Sequence, residues 1–192
     1  MLDGQFEADG WGAFAFLNGS VSPESGRQAS ERPRLRSKPV RQAVLTDPAT
    51  DVMTDFTWDP PVTAATDQLI DDALRAMIVA GVRALLVMRG ELIVGLITSY
   101  DIQGERPLQF LTASSFTRHD ELEVGHIMTP WDRVPTLDMP WVASTRVIDV
   151  VERFQKLRTS HILVVEYAEQ GGAFVRGMFS RTQLERQLGQ MF

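Results

Sequence analysis

The chain states one pattern twice, and that repetition constrains its fold more than any single motif does. Residues 51–102 run from Asp51-Val-Met-Thr54 through a turn to an apolar-periodic helix starting near Asp67. An apolar strand, Ala84–Met88, follows, and then Gly95-Leu-Ile-Thr98-Ser-Tyr-Asp101. Residues 126–184 repeat the order: His126-Ile-Met-Thr129, a turn, a periodic helix from about Arg146, a strand Ile162–Val165, then Gly177-Met-Phe-Ser180-Arg-Thr-Gln183. The paired Met-Thr starts lie 75 residues apart and the paired glycines 82 apart. The second copy has therefore gained a few residues, most visibly at Glu169-Gln-Gly-Gly172.

Within the first copy, Leu69, Ile70, Ala73, Leu74, Met77 and Ile78 recur at helical spacing, with Asp67, Asp71, Asp72 and Arg75 on the other face. Gly81 is placed to end that helix in a left-handed conformation. Leu85–Met88 and Leu92–Val94 flank Arg89-Gly-Glu91, the pattern of a tight hairpin, and a second helix is expected near Thr98. Val147, Ile148, Val150, Val151, Phe154 and Leu157 form the matching stripe of the second copy, followed by strands at Ile162–Val165 and Phe174–Phe179. The expected fold class is α+β: two βαββα repeats, each a small three-stranded sheet with two helices. Neither sheet covers its own apolar face, so the repeats are expected to pack around a pseudo-twofold axis.

Residues 1–50 read differently, as an N-terminal extension broken by glycine and proline. Glu31–Arg41 carries five basic residues against one acidic one and no apolar stripe, which suits a flexible solvated tail. A basic arm for an acidic partner or nucleic acid is the sharper alternative, and Phe6, Trp11, Phe14 and Phe16 give a third, docking onto the folded body. The domain reading is thus 1–50 extension, 51–113 first repeat, 114–125 linker and 126–192 second repeat, with Ile102–Gly125 a helix broken at Gly104 and Pro107 before the linker.

Bulk properties exclude several function classes. A net charge of −6 argues against a nucleic-acid binder, whose phosphate contacts need a basic surface. Without cysteine there are no disulfides, thiolate metal sites or cysteine nucleophiles. The longest mostly apolar stretch, Ala76–Met88, contains Arg83 and is too short for a bilayer. Asp3, Glu7 and Asp9 stand where a secretory leader carries positive charge, so a soluble cytoplasmic protein is expected. Catalytic signals are poor. Gly90 and Gly95 have the spacing of a phosphate-binding loop, but Leu96 stands where its lysine belongs. His119, His126 and His161 lack metal-ligand spacing, and no metal site or enzyme is expected.

The two copies resemble a tandem pair of CBS domains, the regulatory Bateman module. The resemblance rests on Val52-Met-Thr54, Asp71-Asp-Ala-Leu74, Gly81-Val-Arg-Ala-Leu-Leu-Val87 and Gly95-Leu-Ile-Thr98-Ser-Tyr-Asp101 in the first copy. In the second it rests on Ile127-Met-Thr129, Ser160-His-Ile-Leu-Val-Val165 and Gly177-Met-Phe-Ser180. It covers residues 51–188 and is similar to the stand-alone kind. It implies an adenosine-containing ligand in a cleft between the repeats, control of a protein partner, and a homodimer. No cofactor beyond an adenine nucleotide acting as regulatory ligand is implied, and no membrane.

By that resemblance Thr98 and Asp101 would hold the ribose. A helix starts there, free N–H groups point outward, and a carboxylate accepts both ribose hydroxyls. Thr-x-x-Asp is equally a capping box, in which the two side chains only satisfy the helix's own donors. Carried over by position, Val62, Thr63, Val82 and Ala84 would form the adenine slot. Arg83, Arg158, His161 and Arg181 are the candidate phosphate partners, against the plainer readings of solvated charge, local ion pair or structural histidine. In the second copy Ser180 and Gln183 replace the pair; an amide has no charge and fewer acceptor sites, so that site is expected to be weak or empty. Ser-x-x-Gln is itself a capping-box pattern. Two further functions compete: an adaptor module that binds no small molecule, and a nucleic-acid-associated regulator acting through Arg32–Arg41.

Overall fold

The computed structural model describes residues 42–114, 118–168 and 172–192. Phe6, Trp11, Phe14, Phe16 and the basic stretch Arg32–Arg41 lie outside the described residues. In chain order the elements are β1 (Thr54–Asp55), β2 (Thr63–Ala65), α1 (Ile70–Ala80), β3 (Ala84–Arg89), β4 (Leu92–Thr98), α2 (Ser99–Gln103), α3 (Arg106–Ala113) and α4 (Val124–Ile127). They continue with β5 (Thr129–Pro130), β6 (Thr136–Asp138), α5 (Met139–Ser144), α6 (Val147–Leu157), β7 (His161–Tyr167), β8 (Ala173–Ser180) and α7 (Arg181–Leu188). The described residues divide into two compact units. One takes Pro60–Val134 with Glu166–Val175, the other residues 42–59 with Pro135–Val165 and Arg176–Phe192.

The first unit is built on the sheet β2-β3-β4-β5. β2 runs parallel to β3, so α1 is the crossover between them, and β3 and β4 form the hairpin that Gly90 closes with φ +62°. Ile70, Ala73 and Met77 of α1 pack with Leu85, Val87 and Ile97 of the strands. Gly81 ends α1 at φ +69°, its N–H donating to the carbonyls of Met77 and Ile78. Ile78, on the expected core stripe, is instead 72% exposed beside Val79 at 84%. The buried face of α1 is the narrower set 70, 73 and 77, and Ile78 lies about 100° round the helix from Met77.

The second unit repeats this plan with the sheet order β1-β8-β7-β6 and β6 parallel to β7. Val147, Val150, Val151 and Phe154 of α6 pack with Ile162, Val164, Phe179 and Leu184. Where the first copy ends its helix on Gly81, the second uses Arg158, which carries the left-handed conformation at φ +50°. Part of the length gained by the second copy is α5, which has no counterpart between β2 and α1. Residues 169–171, the other place of gain, lie outside the described residues.

Each sheet has four strands, not three, because a strand from the other copy's Met-Thr start is added at the edge. β1 pairs antiparallel with β8, aligning Thr54 with Met178 and Asp55 with Gly177. β5 pairs with β4, aligning Thr129 with Leu96 and Pro130 with Gly95. The added strand explains the paired glycines. A Cβ on Gly95 would stand 2.5 Å from the Thr129 carbonyl oxygen, and one on Gly177 2.5 Å from that of Thr54. The glycines admit the borrowed strand.

The same exchange caps the helices. α1 begins without a side-chain cap, and its Ile70 N–H donates to the Leu122 carbonyl, while the N–H groups of Val124 and Gly125 donate to Gln68 and Thr66. α6 is met in the same way by residues before β1: the N–H groups of Val147 and Ile148 donate to Asp47 and Leu45. Donors that a cap residue would satisfy are satisfied by tertiary backbone contacts. Leu122 and Val124, in the stretch read as a linker, are fully buried, and so is Ala49, in the stretch read as an extension.

Candidate functional site

The strand-to-helix junction after β4 has Thr98 as the N-cap of α2 and Asp101 at its third helical position. Asp101 Oδ2 accepts from the Thr98 N–H and from its hydroxyl, both at 2.8 Å, and the Asp101 N–H donates to Thr98 Oγ1 at 3.2 Å. This is a complete capping box. The second carboxylate oxygen, Oδ1, is held by Arg106 Nη1 at 2.8 Å. The same nitrogen contacts the Ile127 carbonyl and Thr129 Oγ1, each at 3.0 Å. Asp101 is only 12% exposed at its side chain, against 46% for Arg106.

Arg106 is the residue that sequence reasoning missed. It lies past the break at Gly104, where helical periodicity no longer indicates which side chains face one another. Its partners Ile127 and Thr129 are more than twenty positions away, so no local pattern announces the contact. The nearest sequence signal was the helix break itself, which allows the chain to turn the arginine back onto the carboxylate.

The residues assigned to an adenine slot gather at the same end of this sheet. Ala84 is the register partner of Thr98 across the hairpin. The Ser99 N–H donates to the Arg83 carbonyl at 2.9 Å, which ties the start of α2 to the start of β3. Val62 accepts from the Leu86 N–H at 3.1 Å, and Thr63 aligns with Leu86 in the parallel pair. Val62 and Val82 are half-buried, Ala84 is buried and Thr63 is exposed. The Arg83 side chain is exposed, with Nη1 3.3 Å from the Tyr100 hydroxyl.

The other candidates stand on the second unit. Arg158 is exposed at the end of α6. His161 is 3% exposed, with Nδ1 2.9 Å from Ser160 Oγ, which is the environment of a structural histidine. Arg181 Nη2 donates to the Phe192 main-chain oxygen at 2.7 Å, Nε lies 3.6 Å from Glu185 Oε1, and the guanidinium sits 5.3 Å from the Phe192 ring centre. Ser180 is the N-cap of α7 but makes no side-chain cap bond, so the expected Ser-x-x-Gln capping box does not form. Gln183 instead accepts from the Thr54 hydroxyl at 3.4 Å and serves the borrowed strand β1.

Beside that strand, Asp55 forms a two-point ion pair with Arg176: Nε to Oδ1 at 3.1 Å and Nη2 to Oδ2 at 2.8 Å. The Thr57 N–H and hydroxyl also donate to Oδ1. These donors, Arg176 foremost, hold the Asp55 carboxyl well below the usual carboxylate range despite an opposing desolvation. Among the described residues no cluster of three or more His, Asp or Glu side chains is arranged to hold a metal ion. None of their helices is long and apolar enough to cross a membrane.

The family model of the CBS domain matches residues 49–106. No curated protein sequence matches the chain. Among solved structures, a conserved protein of Pyrococcus horikoshii superposes with a TM-score of 0.54 at 20% identity, covering 78% of this chain and 98% of its own. A protein with CBS domains from Burkholderia ambifaria gives 0.50 at 22% identity, covering 69% and 86%. CBSX2, a CBS-pair protein of Arabidopsis thaliana, in its complex with AMP gives 0.50 at 22% identity, covering 73% and 94%. The matched segment, residues 49–106, takes in β1, the crossover helix, the hairpin and the Thr98–Asp101 junction, and the chain as a whole has the fold of the CBS pairs.

Proposed function

We propose that this protein is a regulatory module whose first unit binds an adenosine-containing nucleotide of the AMP, ADP or ATP class and thereby modulates a partner protein. The observation that carries the reading is the placement of Asp101. A nearly buried carboxylate is fixed at a helix start, beside a slot edged by Val62, Val82 and Ala84. AMP in the CBSX2 complex supports the ligand class. Arg83 is the phosphate candidate on this unit. Exposed Ile78 and Val79 on α1 support the expectation of a homodimer.

A second reading has its own support in the Asp101 contacts. Three donors already occupy the carboxylate, which has about four acceptor sites. One ribose hydroxyl fits without loss, but two require Arg106 or the Thr98 hydroxyl to withdraw. In an adaptor module that binds no small molecule, the same group is simply a helix cap.

Thermal shift with AMP, ADP and ATP on the full chain and on Asp101→Ala separates the two. At a hundredfold excess over Kd, binding adds about 2.7 kcal/mol, a shift of several degrees for a chain of this size. The expected result is a shift for at least one nucleotide that the substitution abolishes while the circular dichroism spectrum is kept. No shift for any nucleotide on folded wild type would leave the capping box as the whole role of the pair.

A further inference from the structure

A cavity of about 480 Å³ opens on the first unit, between α3 on one side and the α4–β5 segment with Arg133 on the other. Its chemistry differs from that of the adenine slot. Arg106 and Arg133 line it, together with the Thr129 hydroxyl, and no aspartate or glutamate is among its lining residues. Asp101 offsets the charge of Arg106 at 2.8 Å, so the net positive charge at the cavity is that of Arg133, while Arg106 contributes directed N–H donors.

Donor capacity remains in both arginines. The Arg133 side chain makes no hydrogen bond or ion pair with the described residues. Arg106 spends only Nη1 on Asp101, Ile127 and Thr129, which leaves Nε and Nη2 without a partner among the described residues. The apolar wall is equally defined. Phe110 and His126 stack with ring centres 4.8 Å apart and planes 21° from parallel. The Glu123 N–H donates to His126 Nδ1 at 3.1 Å, so the neutral ring carries its proton on Nε2 and its orientation is fixed.

We propose that this cavity is a second ligand site, for a small molecule bearing a phosphate group. The two guanidinium groups and Thr129 present more donors than the two oxygens of one carboxylate accept. A terminal phosphate has three oxygens, and the planar fork of arginine matches them pairwise. The organic part of the ligand lies against Phe110 and Met128, and the volume is that of a small-molecule site. The proposal does not rest on ribose binding at Asp101.

The test is titration of the full chain with inorganic pyrophosphate, followed by isothermal calorimetry and by the arginine Nε–H signals in nitrogen–proton correlation spectra. Arg133→Ala is the informative variant, since Arg133 is exposed and its side chain makes no hydrogen bond or ion pair with the described residues, so the fold survives its loss. The expected result is saturable binding that weakens at least tenfold in Arg133→Ala. Absence of saturable binding, or equal affinity in Arg133→Ala, overturns the proposal. Loss in Arg83→Ala with retention in Arg133→Ala also overturns it, because the phosphate then binds at the Asp101 end of the sheet. Arg133→Ala leaves both Asp101 and its partner Arg106 in place, so the pyrophosphate titration of that variant and the nucleotide panel on Asp101→Ala fail on separate measurements.

Discussion

At the scale of single residues, two aspartates show how one side-chain type takes different work from its neighbours. Asp101 caps a helix and holds Arg106, and it is the residue on which nucleotide binding is predicted to depend. Asp55 locks the borrowed strand to β8 through Arg176 and Thr57. Because its folded-state carboxyl titrates below the unfolded value, its contribution is fully present above the ordinary carboxylate pKa and fades as the pH falls through the folded value. Asp55→Asn is therefore expected to destabilise by about 2 kcal/mol near neutrality, the scale of hydrogen bonds to a charged group. Urea denaturation from pH 7 to pH 3 checks this. The gap between wild type and variant should be widest at pH 5 and above and narrow below about 4. A gap that grows toward acid would mean the carboxylate is not what the variant removed.

At the scale of elements, the glycines of the two Gly-x-x-(Thr/Ser) motifs are strand-packing devices. Gly95 has no positive φ to demand glycine; the demand comes from the Thr129 carbonyl lying where a Cβ would stand. Backbone does not yield as the end of a flexible side chain does, so Gly95→Ala must push β5 away from β4. A loss of about 1–3 kcal/mol is expected, as for overpacking. Hydrogen exchange should show the loss of protection concentrated at Thr129 and its partner Leu96. Unchanged stability would show that β5 shifts without resistance. The two copies differ at this level as well. Arg106 anchors the borrowed strand β5 through Thr129, whereas β1 is anchored by Gln183 on Thr54 and by Arg176 on Asp55.

At the scale of the whole molecule, each compact unit is completed by chain from the other copy. Removing residues 42–59 takes from the second unit its edge strand β1, the carbonyls that cap α6, and the core members Ala49 and Val52. A chain starting at Pro60 is expected to lose the cooperative unfolding transition of the second unit, with near-ultraviolet circular dichroism of Trp141 reduced. A single transition at the full-length midpoint would show that these residues are dispensable. The helix, hairpin and following helix of the first copy were legible in the sequence because periodicity, Gly81 and the Arg89-Gly-Glu91 turn are local signals, whereas α4 and α5 were not. The Thr98–Asp101 pair was legible too, since a cap and its partner lie within one helical turn. The fourth strand of each sheet, the backbone capping of α1 and α6, and the attachment of Arg106 to Asp101, Ile127 and Thr129 were decided only by the tertiary structure. Most of these join residues tens of positions apart, and even Arg106 meets Asp101 only across a helix break. Periodicity within an element shows which face is apolar, but not which distant backbone will lie against it.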